Sequence, residues 1–161
     1  MLTHNDIMLS ITDEVIHNVL NGISTGNIYK FKDNEYSYKK EYEKPIKDER
    51  NNIYFLDMFL NINNTIKKDQ KTYADIEYVI FEIKTENEMK DWGDVLRQIK
   101  KYRILCKNRV NDIYWPTFIL ITPILSDEVK QVFKNENILT ITTDKLFKQE
   151  KESIEQKEDS I

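Results

Sequence analysis

The stretch whose reading decides the fold is DIEYVIFEIKTE, residues 75–86. β-Branched and aromatic residues dominate it, so it reads as a buried strand over 77–85. Side chains alternate along a strand, which places Tyr78, Ile80, Glu82 and Lys84 on one face and Val79, Phe81 and Ile83 on the other. A carboxylate and an ammonium therefore sit side by side at the end of an oily run, where apolar side chains are expected.

Upstream, IYFLDMFLNI (53–62) is equally apolar and carries one charge, Asp57. Before it, EYSYKKEY (35–42) alternates in part, and Pro45 with the charged KDERNN makes a turn, so these two segments read as antiparallel strands. NNTIKKDQKTY (63–73) has no apolar periodicity and reads as a loop into the third strand. A first helix lies in SITDEVIHNVLNG (10–22), with Ser10 or Thr12 as N-cap, Ile11, Val15, Ile16, Val19 and Leu20 at helical spacing, and Gly22 as its stop.

Downstream, Trp92, Val95, Leu96, Ile99, Tyr102 and Cys106 recur at three- and four-residue spacing, which predicts an amphipathic crossover helix over 88–107. YWPTFILITPIL (114–125), bounded by Pro116 and Pro123, reads as a central strand buried on both faces. SDEVKQVFKNEN (126–137) is a short helix capped by Ser126, and ILTITT (138–143) is a last strand. The order helix, three strands, helix, strand, helix, strand predicts an α/β sandwich with a mixed sheet of four to five strands flanked by helices. A single domain over 1–146 is expected, followed by a charged tail at 147–161 that is frayed helix or disordered.

At 161 residues the chain can bury about two-thirds of its unfolded surface. Its apolar runs fall well short of the roughly 20 residues that span a bilayer, and MLTHNDIMLSITDE lacks the pattern of a signal peptide, so a cytoplasmic, intracellular protein without membrane contact is expected. A lone cysteine, Cys106, excludes an internal disulfide framework, and with only His4 and His17 beside it any metal should be oxygen-liganded. The net charge of −4 argues against a protein that coats nucleic acid, though not against a local basic groove. Three glycines leave no room for Walker or dinucleotide-binding loops. Abundant Lys, Asn and Ile suit a low-GC microbe, its phage or a mobile element.

An isolated buried carboxylate costs several kcal/mol unless something pairs with it. Asp57 and Glu82 brought together would repel and raise each other's pKa, whereas a divalent cation between them keeps both ionised. Hard oxygen donors of this kind suit Mg²⁺ or Mn²⁺. The competing reading is a structural ion pair between Glu82 and Lys84. Glu-x-Lys is a cheap pattern, recurring from Glu88, Glu128 and Glu155 in helical or tail segments where it marks only a solvated surface.

The following helix adds DVLRQIKKYR, which sets Gln98 and Tyr102 four apart on one flank. Asp57, then EIK from Glu82 to Lys84, then QIKKY from Gln98 to Tyr102, together resemble the PD-(D/E)XK nuclease superfamily, with the Gln-x-x-x-Tyr helix motif of its RecB-type members. The resemblance spans about residues 10–143 and includes the element order; the superfamily's proline is absent, since Leu56 precedes Asp57. It implies a restriction-endonuclease-like fold and hydrolysis of phosphodiesters, in DNA before RNA, by water activated at Mg²⁺ or Mn²⁺.

The same resemblance implies that Asp57 and Glu82 bind the metal with the carbonyl of Ile83, and that Lys84 orients the attacking water and steadies the phosphorane charge. It implies that Gln98 holds the water, a phosphate or Lys84, that Tyr102 braces the helix and touches the nucleic-acid backbone, and that Glu14 reaches the metal through water. Against this, Glu14 also reads as an exposed first-turn residue favoured by the helix dipole. Arg97 is the best single phosphate contact and Lys101 is also assigned to substrate, although Lys101, like Lys100, Arg103, Lys39, Lys40 and Lys44, reads more simply as a surface charge. The tyrosines of YSYKKEY could stack bases, but strand tyrosines mostly pack. His17, Cys106, Trp92 and Trp115 have plain packing explanations. Sequence specificity would require a homodimer or a larger complex. The second class of function is a catalytically silent module that binds nucleic acid or a protein partner in a repair, restriction or mobile-element system. The presence of Asp57, Glu82 and Lys84 together favours an enzyme.

Overall fold

A computed structural model describes residues 1–22, 35–108, 111, 113 and 115–146, so the tail assigned to 147–161 lies outside the described residues. Helix α1 (His4–Ser10) opens with a capping box: the Thr3 hydroxyl accepts from the Asp6 N–H at 3.1 Å, and the Asp6 carboxylate accepts from the Thr3 N–H at 2.8 Å. This helix is additional to the predicted set, its seven residues being too few to show a period. Helix α2 (Asp13–Gly22) starts where the Thr12 hydroxyl accepts from the Val15 N–H at 3.3 Å, which settles Thr12 rather than Ser10 as its cap.

Strands β1 (Glu35–Lys47), β2 (Ile53–Lys68) and β3 (Lys71–Ile83) form an antiparallel meander, with Lys40 opposite Leu60 and Leu60 opposite Val79. A 3₁₀ turn (Glu88–Asp91) and helix α3 (Trp92–Cys106) then cross to β4 (Thr117–Thr122), which lies parallel to β3 with Ile119 beside Phe81. Helix α4 (Asp127–Asn135), capped by the Ser126 hydroxyl, leads to β5 (Leu139–Thr142), parallel to β4. The strand order is β1-β2-β3-β4-β5, a mixed five-stranded sheet flanked by helices. Among the described residues no helix is long and apolar enough to cross a membrane.

Each face of the sheet carries its own core. Ile7 of α1 and Val15, Ile16 and Leu20 of α2 pack on Met58, Leu60, Phe81 and Ile121. Val95, Ile99 and Tyr102 of α3 and Phe133 of α4 pack on Phe59, Ile80, Phe118 and Leu120. The β4 residues from Phe118 to Thr122 are all buried because both faces are covered, as the continuous apolar run requires. Each fully buried large side chain of this kind contributes about 1.5–3 kcal/mol.

Two expectations are corrected. Residues 63–73 are a hairpin rather than a loop: β2 and β3 run on to a two-residue turn at Asp69 and Gln70, closed by Lys68 opposite Lys71. Both turn residues have positive φ, 52° and 64°, as the primed turns that match strand twist demand. The arm lacks an apolar period because β4 pairs with β3 only from Val79 onward, so little of it is covered, Asn64 at 1% exposure being the exception among its described side chains. Pro45 lies inside β1, opposite Phe55, rather than in the turn. The strand tolerates it because β1 is the sheet's edge. The turn itself is built by Asp48, whose carboxylate accepts from the N–H groups of Arg50 and Asn52, both at 2.9 Å.

Candidate active site

The charged residues of β2 and β3 meet where the two strands stop pairing. The last backbone pair at this end is Met58 with Phe81. One step further, side chains take over the ladder: the Ile83 N–H donates to Asp57 Oδ2 at 2.8 Å, and the Asp57 N–H reaches Glu82 Oε1 at 3.4 Å. Lys84 is held beside them by its own N–H, which donates to the Ile121 carbonyl at 2.9 Å.

The alternation of side chains inverts at this level. In β2, Met58, Leu60 and Ile62 join the core under α1 and α2, whereas Tyr54 and Leu56 join the core under α3. In β1, Tyr36 and Tyr38 belong to the first core and Ile46 to the second. Glu43, which the register would set opposite Asp57, drops out of the ladder with φ at 48°. Asp57 thus occupies the point where the sheet changes face, and a regular strand would have turned its side chain differently.

Glu82 is 1% exposed. Burial first, and then the Asp57 charge, push its carboxyl well above the usual range, with Lys84 opposing the shift. On α3, Gln98 Nε2 donates to the Tyr102 hydroxyl at 2.7 Å, and burial followed by the Glu82 charge raises the Tyr102 phenol. Lys84, Gln98, Lys101, Tyr102 and Tyr54 line a cleft of about 570 Å³ whose other walls include Glu88, Asp91 and Asp94. Asp57 and Glu82 are not among its lining residues, so Lys84 is the link between the carboxylate clasp and the cleft.

The sequence reading missed His4. Its Nε2 lies 3.2 Å from Asp57 Oδ1, placed there by the cap that starts α1 at that residue. The Thr3–Asp6 spacing could have found the helix, but nothing local signals a contact that depends on how α1 docks. Glu14 is half-buried in the first turn of α2. Among the described residues no three His, Cys, Asp or Glu side chains converge as a metal cage, so Glu14 does not complete one with Asp57 and Glu82.

The expected substrate contacts divide. Arg97 is exposed and paired with Asp94. Lys101 donates to the Tyr54 hydroxyl at 2.8 Å within the cleft. Lys100 pairs with Glu136 at 3.3 Å and Arg103 donates to the Glu136 and Asn137 carbonyls, so both brace α3 against the exit of α4. Lys40 pairs with Asp13 at 3.3 Å and Lys44 with Glu41 at 3.0 Å. Two of the three strand tyrosines pack: Tyr36 meets His17 Nδ1 at 2.7 Å and Tyr38 donates to Asp13 at 2.8 Å, tying α2 to β1, whereas Tyr42 is 48% exposed. Cys106 is buried, which raises its thiol to about 12, in keeping with a core residue. Trp115 departs from the packing expectation, with 79% of its surface exposed. Compared with protein-family models, curated proteins and solved structures, the chain finds no match.

Proposed function

We propose that the chain is a metal-dependent nuclease of restriction-endonuclease-like fold, hydrolysing phosphodiester bonds of nucleic acid, DNA before RNA. The observation that carries this reading is the clasp at the strand ends, Ile83 N–H to Asp57 and Asp57 N–H to Glu82, with Lys84 next in line. Such a pair is costly as a stabilising device, because one carboxylate is fully buried beside another. The donor set fits Mg²⁺ or Mn²⁺: two hard carboxylates, supplemented by the Ile83 carbonyl, whose mutual repulsion a divalent cation would relieve. Bound there, the ion supplies Lewis acidity to a phosphate oxygen and acidity to a water.

The chain's own residues divide the remaining work. Asp57 and Glu82 hold the cation, Lys84 orients the nucleophilic water and offsets charge on the phosphorane, and Gln98, fixed by Tyr102, positions a phosphate or the water. A catalytically silent nucleic-acid-binding module is the second reading, favoured by the absence of a three-donor acidic group among the described residues. The two separate on one assay: labelled single- and double-stranded DNA and RNA incubated with Mn²⁺, Mg²⁺ or EDTA. Cutting in metal, lost by about 10²–10³-fold in Lys84→Ala and in Asp57→Ala, supports the enzyme. No cutting, or equal cutting by the variants, refutes it.

A further inference from the structure

We propose that a single-stranded polynucleotide runs from Lys84 along the outer flank of α3 to Trp115, with Tyr54 and Trp115 as two stacking platforms for unpaired bases. This rests on the nucleic-acid reading of the site above. A second cleft of about 630 Å³, lined by Arg50, Asn52, Lys107 and others, adjoins the cleft beside Lys84, with Tyr54 as a wall of both. Along this path the half-buried Tyr54 ring and the exposed Trp115 ring each have a cation against them: Lys101 Nζ lies 4.0 Å from the Tyr54 centroid and Lys107 Nζ lies 4.3 Å from the Trp115 centroid. A positive charge for the phosphate beside a flat apolar surface for the base is what a strand-binding groove supplies.

Trp115 is the independent observation. It is 79% exposed and its backbone sits at φ 50°, a region that bulky residues seldom adopt. Packing does not explain holding the largest apolar side chain outward in that conformation, whereas a stacking surface does. Unpaired bases offer their faces to such rings, whereas a duplex buries those faces in its stack, so the rings select single strands.

Charge sets the direction. Asp91 and Asp94 stand at the N-terminal end of α3, whereas Lys101 lies further along and Lys107 caps its C-terminus. The strand is thus repelled from the start of α3 and drawn toward its end. Asp48, in the second cleft, spends its carboxylate on the N–H groups of its own turn, and the remaining acid, Glu49, is outnumbered by Arg50 and Lys107. From Gln98 to Lys107 the helix rises about 14 Å, about four stacked nucleotides at 3.4 Å each.

The test uses the full chain in EDTA, so that nothing is cut. In a Trp92→Phe background Trp115 is the remaining tryptophan. Oligo(dU) and oligo(U) of about 15 nucleotides are titrated against its fluorescence, with a duplex of equal length as the third arm. Binding of a single strand is expected to quench Trp115, and the tighter of the two single strands names the sugar chemistry. By anisotropy of labelled strand, Trp115→Ala should weaken binding about 5- to 100-fold, and Lys107→Gln should lower the salt slope by about one. Because Trp115 is exposed, its loss leaves the core intact, which circular dichroism verifies. Absence of quenching, unchanged affinity in Trp115→Ala, or tighter binding of the duplex overturns the track. Quenching by a single strand without cutting in Mn²⁺ would support the track and refute only the nuclease reading.

Discussion

Replacing Glu82 by Gln tests the central claim, that Glu82 is costly to the metal-free fold and is retained to hold a cation. The Glu82 carboxyl is 1% exposed beside Asp57, and burial followed by the Asp57 charge raises its pKa above the usual carboxylate range. The folded state therefore keeps a proton that the unfolded chain has released, so stability falls as pH rises from the ordinary carboxylate range through the raised folded value. Gln keeps the oxygen that accepts from the Asp57 N–H, removes the titration, and offers an amide donor to the Asp57 carboxylate. Two unit charges about 4 Å apart at an effective dielectric constant of about 20 repel by about 4 kcal/mol, and protonation of Glu82 limits how much of this is felt. The expected gain at neutral pH is on the order of 1–3 kcal/mol, which for a chain of this size raises Tm by about 2–12 °C. Thermal denaturation in EDTA from acid to neutral pH should show the gap between variant and wild type widening with pH. With Mn²⁺ at about 100 times its Kd, wild type should gain about 2.7 kcal/mol and the variant little, closing or reversing the gap between them. A variant less stable than wild type without metal, or equal stabilisation of both by Mn²⁺, refutes the reasoning.

His4→Ala leaves Asp57 Oδ1 without its ring-nitrogen neighbour and should weaken Mn²⁺ binding about 10–100-fold by calorimetry, with the circular-dichroism spectrum unchanged. Phe118→Ala removes a fully buried ring shared by β4 and the core under α3, and should cost about 3–5 kcal/mol in urea denaturation. Cys106, with its thiol raised to about 12, should resist iodoacetamide at mildly alkaline pH in the native state and react at once in denaturant, as mass spectrometry will read.

Much of the fold is local and was legible. Thr12 and Ser126 cap helices where their hydroxyls stand before apolar periods, and α3 shows its buried stripe because Val95, Ile99, Tyr102 and Cys106 all meet the same sheet. The run in β4 declares burial on two faces. What stayed illegible lacks a burial period or depends on a distant partner. The arm that closes at Asp69 and Gln70 is polar because β4 does not reach it, and Pro45 fits a strand only because that strand is the edge. Trp115 has the composition of a core residue and the position of a surface one.

The site divides along the same line. The residue types Asp57, Glu82, Lys84, Gln98 and Tyr102 were visible from their spacing, because strand alternation and the helical repeat set which of them share a face. Their relation across 25 residues of chain was not, since it arises where β2 and β3 part and the Asp57 carboxylate takes the Ile83 N–H in place of a backbone carbonyl. Alternation alone would have sent Asp57 to one definite face, and the inversion opposite Glu43 is a tertiary event with no local signature. His4 reaches Asp57 through the docking of a short helix whose one buried side chain is Ile7. Local pattern is set by backbone geometry within a turn or a pleat, whereas charge brought together at a strand end is set by how the layers close around it.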